Sequence, residues 1–374
     1  NKEEGMAACL MVRDDNALLY EWLAYHYTVL PLRNILIASD LNSTEDPNDV
    51  FRLGGWDTVQ DLKYTVWNNE STFMYRFGPI PVDPSDQNHH YLHRQRAFFT
   101  SCAEYMKFVQ NVSWTVFVDT DEYIVINRIN SDDEVYMKEE EEGIMEHNSS
   151  RYERFQQRKI LLSTNSNSTT TNLNTVLDVI RAVSSSIESS SLISSSLEPC
   201  HVIPRLLIGA LENETCSDMD HLKDVITTEM NNNNNTKKLS TIRFVQTARK
   251  NSFYPSKWGK VMVDLTRLSK ETLAIKPRSS HRPFKECPKP LRAFEEALFH
   301  INHYLGDWER YSSRKNDIRR SRKAFEERAY FSHGLACEMH MEQWMLRFIQ
   351  QFGLHRAKQL LGYNTTSSSS ITTE

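Results

Sequence analysis

The sequence predicts an α/β protein: a mainly parallel central sheet flanked by helices, with low-complexity insertions and a helical C-terminal region. Three observations carry this. Apolar strand-like runs alternate with helix-like segments over the first 120 or so residues, the pattern of a layered α/β sheet. Two polar tracts then break the alternation. The last third returns to helical spacing.

Met6 to Val12 (MAACLMV) reads as a short buried strand. Asn16 to Leu30 follows as a helix with a broad apolar face (Leu18, Leu19, Trp22, Leu23, Tyr25, Tyr27), and Pro31 stops it. Asn34 to Ser39 is a second buried strand, ending at Asp40. Asp49 to Leu53 starts another helix, and Phe73 to Phe77 reads as a third strand. His93 to Gln110 is helical, with Phe98, Cys102, Tyr105 and Val109 near helical spacing. Trp114 to Val118 is an apolar strand running into Asp119-Thr120-Asp121.

Two insertions are expected, at about 130–197 and 212–238. The first holds an acidic run and a serine tract; the second holds five consecutive Asn. Such composition cannot bury enough apolar surface to offset its ordering entropy. Between them Val202 to Ile208 reads as a strand, and Thr241 to Val245 and Lys260 to Leu265 as two more. Leu291 to Phe299, Trp308 to Phe331 and Glu338 to Leu361 read as helices. The organisation is then one domain over 6–305, a helical extension over 306–362 and a polar tail over 363–374.

At 374 residues and 39% hydrophobic, the chain has material for a real core. The net charge of −5 argues against a nucleic-acid partner. It comes from one stretch: Asp132 to Glu142 holds seven acids and one Lys, a local −6 that leaves about +1 elsewhere. There is no GxxxxGK, GxGxxG, GxSxG or HExxH, so the common phosphate, hydrolase and zincin motifs lack support.

The six cysteines show no CxxC pairing, which argues against structural zinc. The even count permits disulfides, with Cys200 and Cys216 the nearest pair in sequence and Cys9 expected as a buried thiol. Sequons begin at Asn42, Asn69, Asn111, Asn148, Asn167, Asn213, Asn234 and Asn364. Eight exceeds chance and points to a secreted or lumenal chain; Asn111 lies in compact sequence and reads as unmodified. No run reaches the ~20 apolar residues of a membrane span. The chain begins at Asn1, so a membrane anchor is expected upstream of it.

The chemistry concentrates in Asp119-Thr120-Asp121-Glu122, flanked on both sides by apolar residues (TVFVDTDEYIVIN). Charges are rarely placed inside an apolar run without partners. If strand geometry persists, Asp119 and Asp121 point the same way. Two converging carboxylates need a cation or proton between them, and their oxygens suit Mg²⁺ or Mn²⁺. On spacing alone, His300 and His303 at i,i+3 read as helix-surface residues; His89 and His93 at i,i+4 could hold a metal on a helix, but Pro79, Pro81 and Pro84 suit a loop equally and the zinc reading is not favoured.

The strand TVFVDTDEYIVIN resembles the metal-binding strand of GT-A glycosyltransferases, and more specifically of glycosyltransferase family 92 and family-2-like relatives. Four other segments agree in order: CLMVRDDNALLYEWLAYHYTV, with Arg13, Glu21, Trp22 and His26 matching; HRQRAFFTSCAEYMKFVQNVSW, with Gln95 and Cys102 matching; PRLLIG; and KWGKVMVDLTRL, followed by His281 and INHYLGDWERYSSR. The family's Asn-Glu after the first strand is Asp14-Asp15 here.

The resemblance implies a GT-A fold and a glycosyltransferase, with roles carried over residue by residue. Arg13 and Asp40 would border the base and ribose of a nucleotide-sugar donor. Asp119 and Asp121 would hold Mn²⁺ (or Mg²⁺), with His303 as a third ligand or diphosphate contact. Arg94, Gln95 and Lys260 would contact phosphate or sugar. The donor implied is UDP-galactose, transferred with inversion to a glycan or glycoprotein acceptor in the Golgi lumen. Inversion needs one general base, for which Glu295, Glu296 and Asp264 are candidates. Two other readings stay open: a non-catalytic carbohydrate-binding protein on a degenerate transferase fold, and a nucleotide-sugar hydrolase or phosphotransferase.

Overall fold

A computed structural model of the chain describes residues 5–75, 87–127, 175–189, 199–209, 239–244, 246–247, 259–275, 279, 281–287, 297–313, 321–332, 336–337 and 343–363. Strand β1 (Met6–Val12) leads through helix α1 (Asn16–Val29) to β2 (Leu32–Ser39), α2 (Asn48–Gly54), β3 (Lys63–Trp67) and α3 (Ser71–Met74). The long α4 (Gln87–Phe108) precedes β4 (Trp114–Phe117) and β5 (Glu122–Ile126). Next come α5 (Val176–Ser189), β6 (Cys200–Ile203), β7 (Arg205–Ile208), α6 (Ser240–Arg243) and β8 (Gln246–Thr247). The described chain closes with β9 (Lys260–Asp264), α7 (Lys270–Ala274), β10 (Phe299–Tyr304), α8 (Trp308–Ser313), α9 (Arg322–Ser332), β11 (Ala336–Cys337), α10 (Gln343–Phe352) and α11 (Leu354–Leu360).

A six-stranded sheet runs β3-β2-β1-β4-β9-β6. Its first four strands are parallel; β9 lies antiparallel to both β4 and β6. Every residue of β1 is buried, as expected of a central parallel strand covered on both faces. Its side chains alternate between two cores: Met6, Ala8, Leu10 and Val12 join one, Ala7, Cys9 and Met11 the other. The first core holds α1, α5, α10 and α11; the second holds α4.

A five-stranded sheet, β11-β8-β7-β10-β5, completes the fold. The chain passes between the sheets twice. It leaves the first at Phe117 and enters the second at Glu122, and it repeats the passage between Ile203 and Arg205. Pro204 sits at the second passage; lacking an N–H, it cannot extend the ladder. The expected single strand Val202–Ile208 is therefore two strands in two sheets.

Several other expectations are corrected. The third strand is β3, not Phe73–Phe77, where Phe73 instead belongs to α3. The segment expected as a strand at Thr241–Val245 is helical at Ser240–Arg243, because the buried Glu21 carboxylate accepts the N–H groups of Ser240 and Thr241, both at 2.8 Å, as an end cap does. Phe299 opens β10 and does not end a helix. The first insertion contains α5, whose Val176, Val179, Ile180 and Val183 enter the main core at helical spacing. The second insertion and the acidic run lie outside the described residues.

The disulfides also differ from the expected ones. Cys9 is not a thiol: it bonds Cys102, tying β1 to α4 across 93 residues. Cys200 bonds Cys287, not Cys216, across 87 residues. All four cysteines are buried. Loops of this length give each bond about 4.6 kcal/mol in the chain-entropy picture.

The expected C-terminal extension packs into the first core. Trp344 lies 5.6 Å from Tyr25, and Trp56 Nε1 donates to Leu360 O at 2.8 Å. Among the described residues, no helix is long and apolar enough to cross a membrane.

Candidate active site at the junction of the sheets

The parallel strands β1, β2 and β4 end on one edge, and the order changes direction at β1. Ligands of open α/β sheets bind at such edges. Three acids follow these strands: Asp15 after β1, Asp40 after β2 and Asp119 after β4. The start of α4 lies over the same edge, where Tyr91 OH donates to Met11 O at 3.3 Å. Tyr91, Arg94 and Gln95 are three and four residues apart and so share a helix face.

Arg13 and Asp40 lie together, and Arg94, expected beside phosphate or sugar, pairs with Asp40. Arg94 Nη2 donates to the buried Asp40 Oδ2 at 2.6 Å, while Arg94 Nε lies 2.9 Å from Glu70 Oε1 and Arg13 Nε 3.9 Å from Asp40 Oδ1. The neighbouring loop is tied back by Asp14. Its Oδ1 accepts from the N–H groups of Thr44 (2.6 Å) and Glu45 (3.1 Å) and from the hydroxyls of Ser43 and Thr44. These bonds outweigh desolvation and hold the Asp14 carboxyl below the usual range.

Asp119 and Asp121 do not share a face. The strand ends at Phe117, and Glu122 N closes a turn onto Asp119 O at 3.2 Å, so strand alternation does not carry through. Asp119 turns toward the six-stranded sheet: Oδ1 accepts from Gln95 Nε2 at 2.9 Å and Oδ2 from Lys260 Nζ at 2.6 Å. Burial pushes its carboxyl up, but the Lys260 ammonium overcomes this and the net shift is downward. Asp121 turns toward β10, with Oδ2 3.4 Å from His303 Nε2.

His303 reaches Asp121 because it lies in a strand and not on a helix. It pairs with Glu122 across β5 and β10, and His300, an odd number of residues away, takes the opposite face. Lys260 is 1% exposed and bridges Asp119 and Glu122, the latter at 3.3 Å. It enters the site as a buried ion-pair partner. Asp264 lies at the other end of β9, opposite Trp114, the first residue of β4, roughly 13 Å of strand from the acidic edge. There it caps a turn by accepting from Thr266 N. That position separates it from the chemistry expected of a general base. Glu295 and Glu296 lie outside the described residues, as does the His89 side chain.

Sequence reasoning did not assign Asp15, Tyr91, Arg205 or a role for Glu122. Thr120 Oγ1 donates to Asp15 Oδ2 at 3.0 Å, fixing the turn to the end of β1. Burial, partly offset by Arg310 and reinforced by Asp121, raises the Asp15 carboxyl to about 6. Beneath Lys260, burial and the neighbouring Lys260 and Arg205 charges push the His281 imidazole down to about 3.

The residues present offer a metal a two-point hold. Asp121 Oδ2 and His303 Nε2 are close enough to share one cation, with oxygen and imidazole donors acceptable to Mn²⁺. Both Asp119 oxygens already accept hydrogen bonds. Among the described residues, no group of three or more His, Cys, Asp or Glu is arranged to hold a metal. The remaining ligands would come from water and donor phosphate, as is usual for small hard cations.

The buried ionisable groups make stability depend on pH. Burial drives His26 and His281 to about 3 and His201 to about 4, from 6.5 when exposed. These imidazoles take up protons on unfolding, so their stabilisation is present above about 6.5 and lost as pH falls toward 4, by about 1.4 kcal/mol per pH unit each. Asp15 and Glu21, raised by burial, act with the opposite sign, Asp15 from about 6 downward. The guanidinium midpoint is therefore expected to fall between pH 7 and 5. A midpoint that rises over this window would contradict three imidazoles held neutral in the folded chain.

A six-stranded sheet flanked by helices, with acids and bases gathered at its carboxyl edge, is consistent with an α/β glycosyltransferase fold. Residues 58–188 match the family model "Glycosyltransferase family 92", which supports a glycosyltransferase assignment for the chain. The match spans β3, α4, both acids of the turn, and α5. No curated protein matches the chain.

Proposed function

We propose that this protein is a glycosyltransferase with a GT-A fold that moves a hexose from a nucleotide-diphosphate donor to a glycan, with metal assistance. The observation that carries this is the Asp121–His303 pair at the switch point of the parallel sheet. There a Mn²⁺ or Mg²⁺ ion would be held by Asp121 and His303, beside Asp119. It would supply charge neutralisation for the diphosphate leaving group. The Arg13–Asp40–Arg94 cluster would orient the base and ribose, and Gln95 and Lys260 fix the Asp119 carboxylate that faces them. UDP-galactose is the proposed donor and inversion the proposed stereochemistry.

The proposed compartment is the Golgi lumen, with a membrane anchor preceding the chain. Two buried disulfides suit an oxidising compartment. Asn42, Asn69 and Asn111 each begin a sequon and are exposed.

The engagement of both Asp119 oxygens favours a second reading, a carbohydrate-binding protein without turnover. Nucleotide release from a panel of UDP- and GDP-sugars, with Mn²⁺ and with EDTA, separates the two. Metal-dependent release from one donor is expected. A folded protein that releases none, binds glycan and ignores UDP with Mn²⁺ is a binding protein.

A further inference from the structure

Glu122 holds the acidic turn together without reaching its surface. Its side chain is fully buried, so it cannot touch a donor or acceptor. Its Oε2 accepts the Asp119 backbone N–H at 2.9 Å and lies 3.3 Å from Lys260 Nζ. Its Oε1 accepts from Arg205 Nη1 at 3.3 Å. Its backbone carbonyl accepts from Trp22 Nε1 at 3.1 Å, which anchors the residue to α1. Glu122 therefore grips Asp119 twice: directly through the main chain, and indirectly through the ammonium it shares with the Asp119 carboxylate.

The partners arrive from separate parts of the fold. Lys260 begins β9, in the first sheet; Arg205 begins β7, in the second; Glu122 begins β5. Lys260 pairs with Ile203 across β9 and β6, immediately before the chain crosses to Arg205. One carboxylate thus joins both places where the chain passes between sheets. The approach is close: a Cβ on Gly259, beside Lys260, would lie 2.3 Å from the Ile203 carbonyl oxygen.

We propose that Glu122 is a positioning residue for the donor site, acting through Lys260 and Asp119 to aim the Asp119 carboxylate. The proposal rests on the transferase reading above. Neutralising Glu122 would leave the buried Lys260 ammonium with Asp119 as its remaining ion-pair partner and take the charge away from the part-buried Arg205. An amide at this position also turns one acceptor oxygen into a donor facing those cations. Asp119 would then be drawn toward Lys260 and away from its aligned position.

The test compares the whole chain with Glu122→Gln and Glu122→Asp. Donor KM, kcat, the half-activating Mn²⁺ concentration and the Kd of UDP with Mn²⁺ are read alongside the melting temperature. Groups that orient ligands from behind typically cost 10–100-fold when lost, so Glu122→Gln is expected to raise donor KM and half-activating Mn²⁺ by about that factor. Glu122→Asp, which keeps the charge, is expected to recover a large part of the loss and to carry the test if the glutamine variant does not fold. A merely structural role would lower kcat with the folded fraction and leave KM, half-activating Mn²⁺ and Kd unchanged; that result overturns the proposal. A folded wild-type chain that neither releases nucleotide nor binds UDP with Mn²⁺ overturns the transferase reading and this proposal with it. Wild-type activity with indifferent Glu122 variants overturns this proposal alone.

Discussion

Asp121→Asn is expected to lower kcat/KM by roughly 10²–10³-fold without lowering the melting temperature, the scale of losing one preorganised charge contact in a transfer reaction. The two effects separate for a physical reason. Asp121 meets His303 by its side chain, but its structural bond is made by the main chain, where its carbonyl accepts the Tyr304 N–H at 2.9 Å. An amide keeps that bond and the side-chain shape while removing the charge a cation needs. It also removes a negative charge that raises the neighbouring Asp15 carboxyl. Relief of that repulsion offsets any small packing loss, in line with the common trade of stability for function at such sites. Steady-state kinetics and a thermal melt on the same preparation check both halves. Full activity in the variant, or in wild type with excess EDTA, would sink the metal assignment.

Lys260→Met is expected to cost stability, by about 3–5 kcal/mol, the usual result of removing one partner from a buried ionic cluster. Methionine fills much of the space but leaves Asp119 and Glu122 without the ammonium between them. Arg205, 3.3 Å from Glu122, answers only part of that charge. Lys260→Arg should not restore the site. The lysine is 1% exposed, and a guanidinium is a planar fork where the pocket holds a compact ammonium. Urea denaturation at neutral pH measures the effect. A midpoint within error of wild type would mean that Lys260 does not bear the charge of the junction.

The central part of the fold was legible because its residues are buried on both sides. The runs at Met6–Val12 and Leu32–Ser39 have few ways to hide other than in a parallel sheet. β3 was missed for the opposite reason: Lys63–Trp67 is an edge strand of half-exposed residues with no clean alternation. The site was legible in part. Acids inside an apolar run announced Asp119 and Asp121, and the resemblance drew in His303. Neither could reveal that the two acids face different partners, because that depends on a turn closing between two sheets. The link from Lys260 to Asp119 spans 141 residues and that from Arg205 to Glu122 spans 83. Pairings of this kind follow from where strands cross, and the disulfides show the same thing: Cys200 found Cys287 and passed over the nearer Cys216.

The lodging of α10 and α11 against α1 bears on how the chain matures at the ribosome. Cys102 emerges early, so the bond to Cys9 can close while most of the polypeptide is still unmade. Trp56 must wait for Leu360, 304 residues later, before its indole finds an acceptor. Until then the flank of α1 that meets Trp344 and Phe352 has no cover, and a nascent domain with bare apolar surface is a target for chaperones and for aggregation. Translation that halts shortly before residue 343 would therefore release a cross-linked but uncapped intermediate, and synthesis of the segment from Gln343 to Leu360 is the step that commits the core to its finished state.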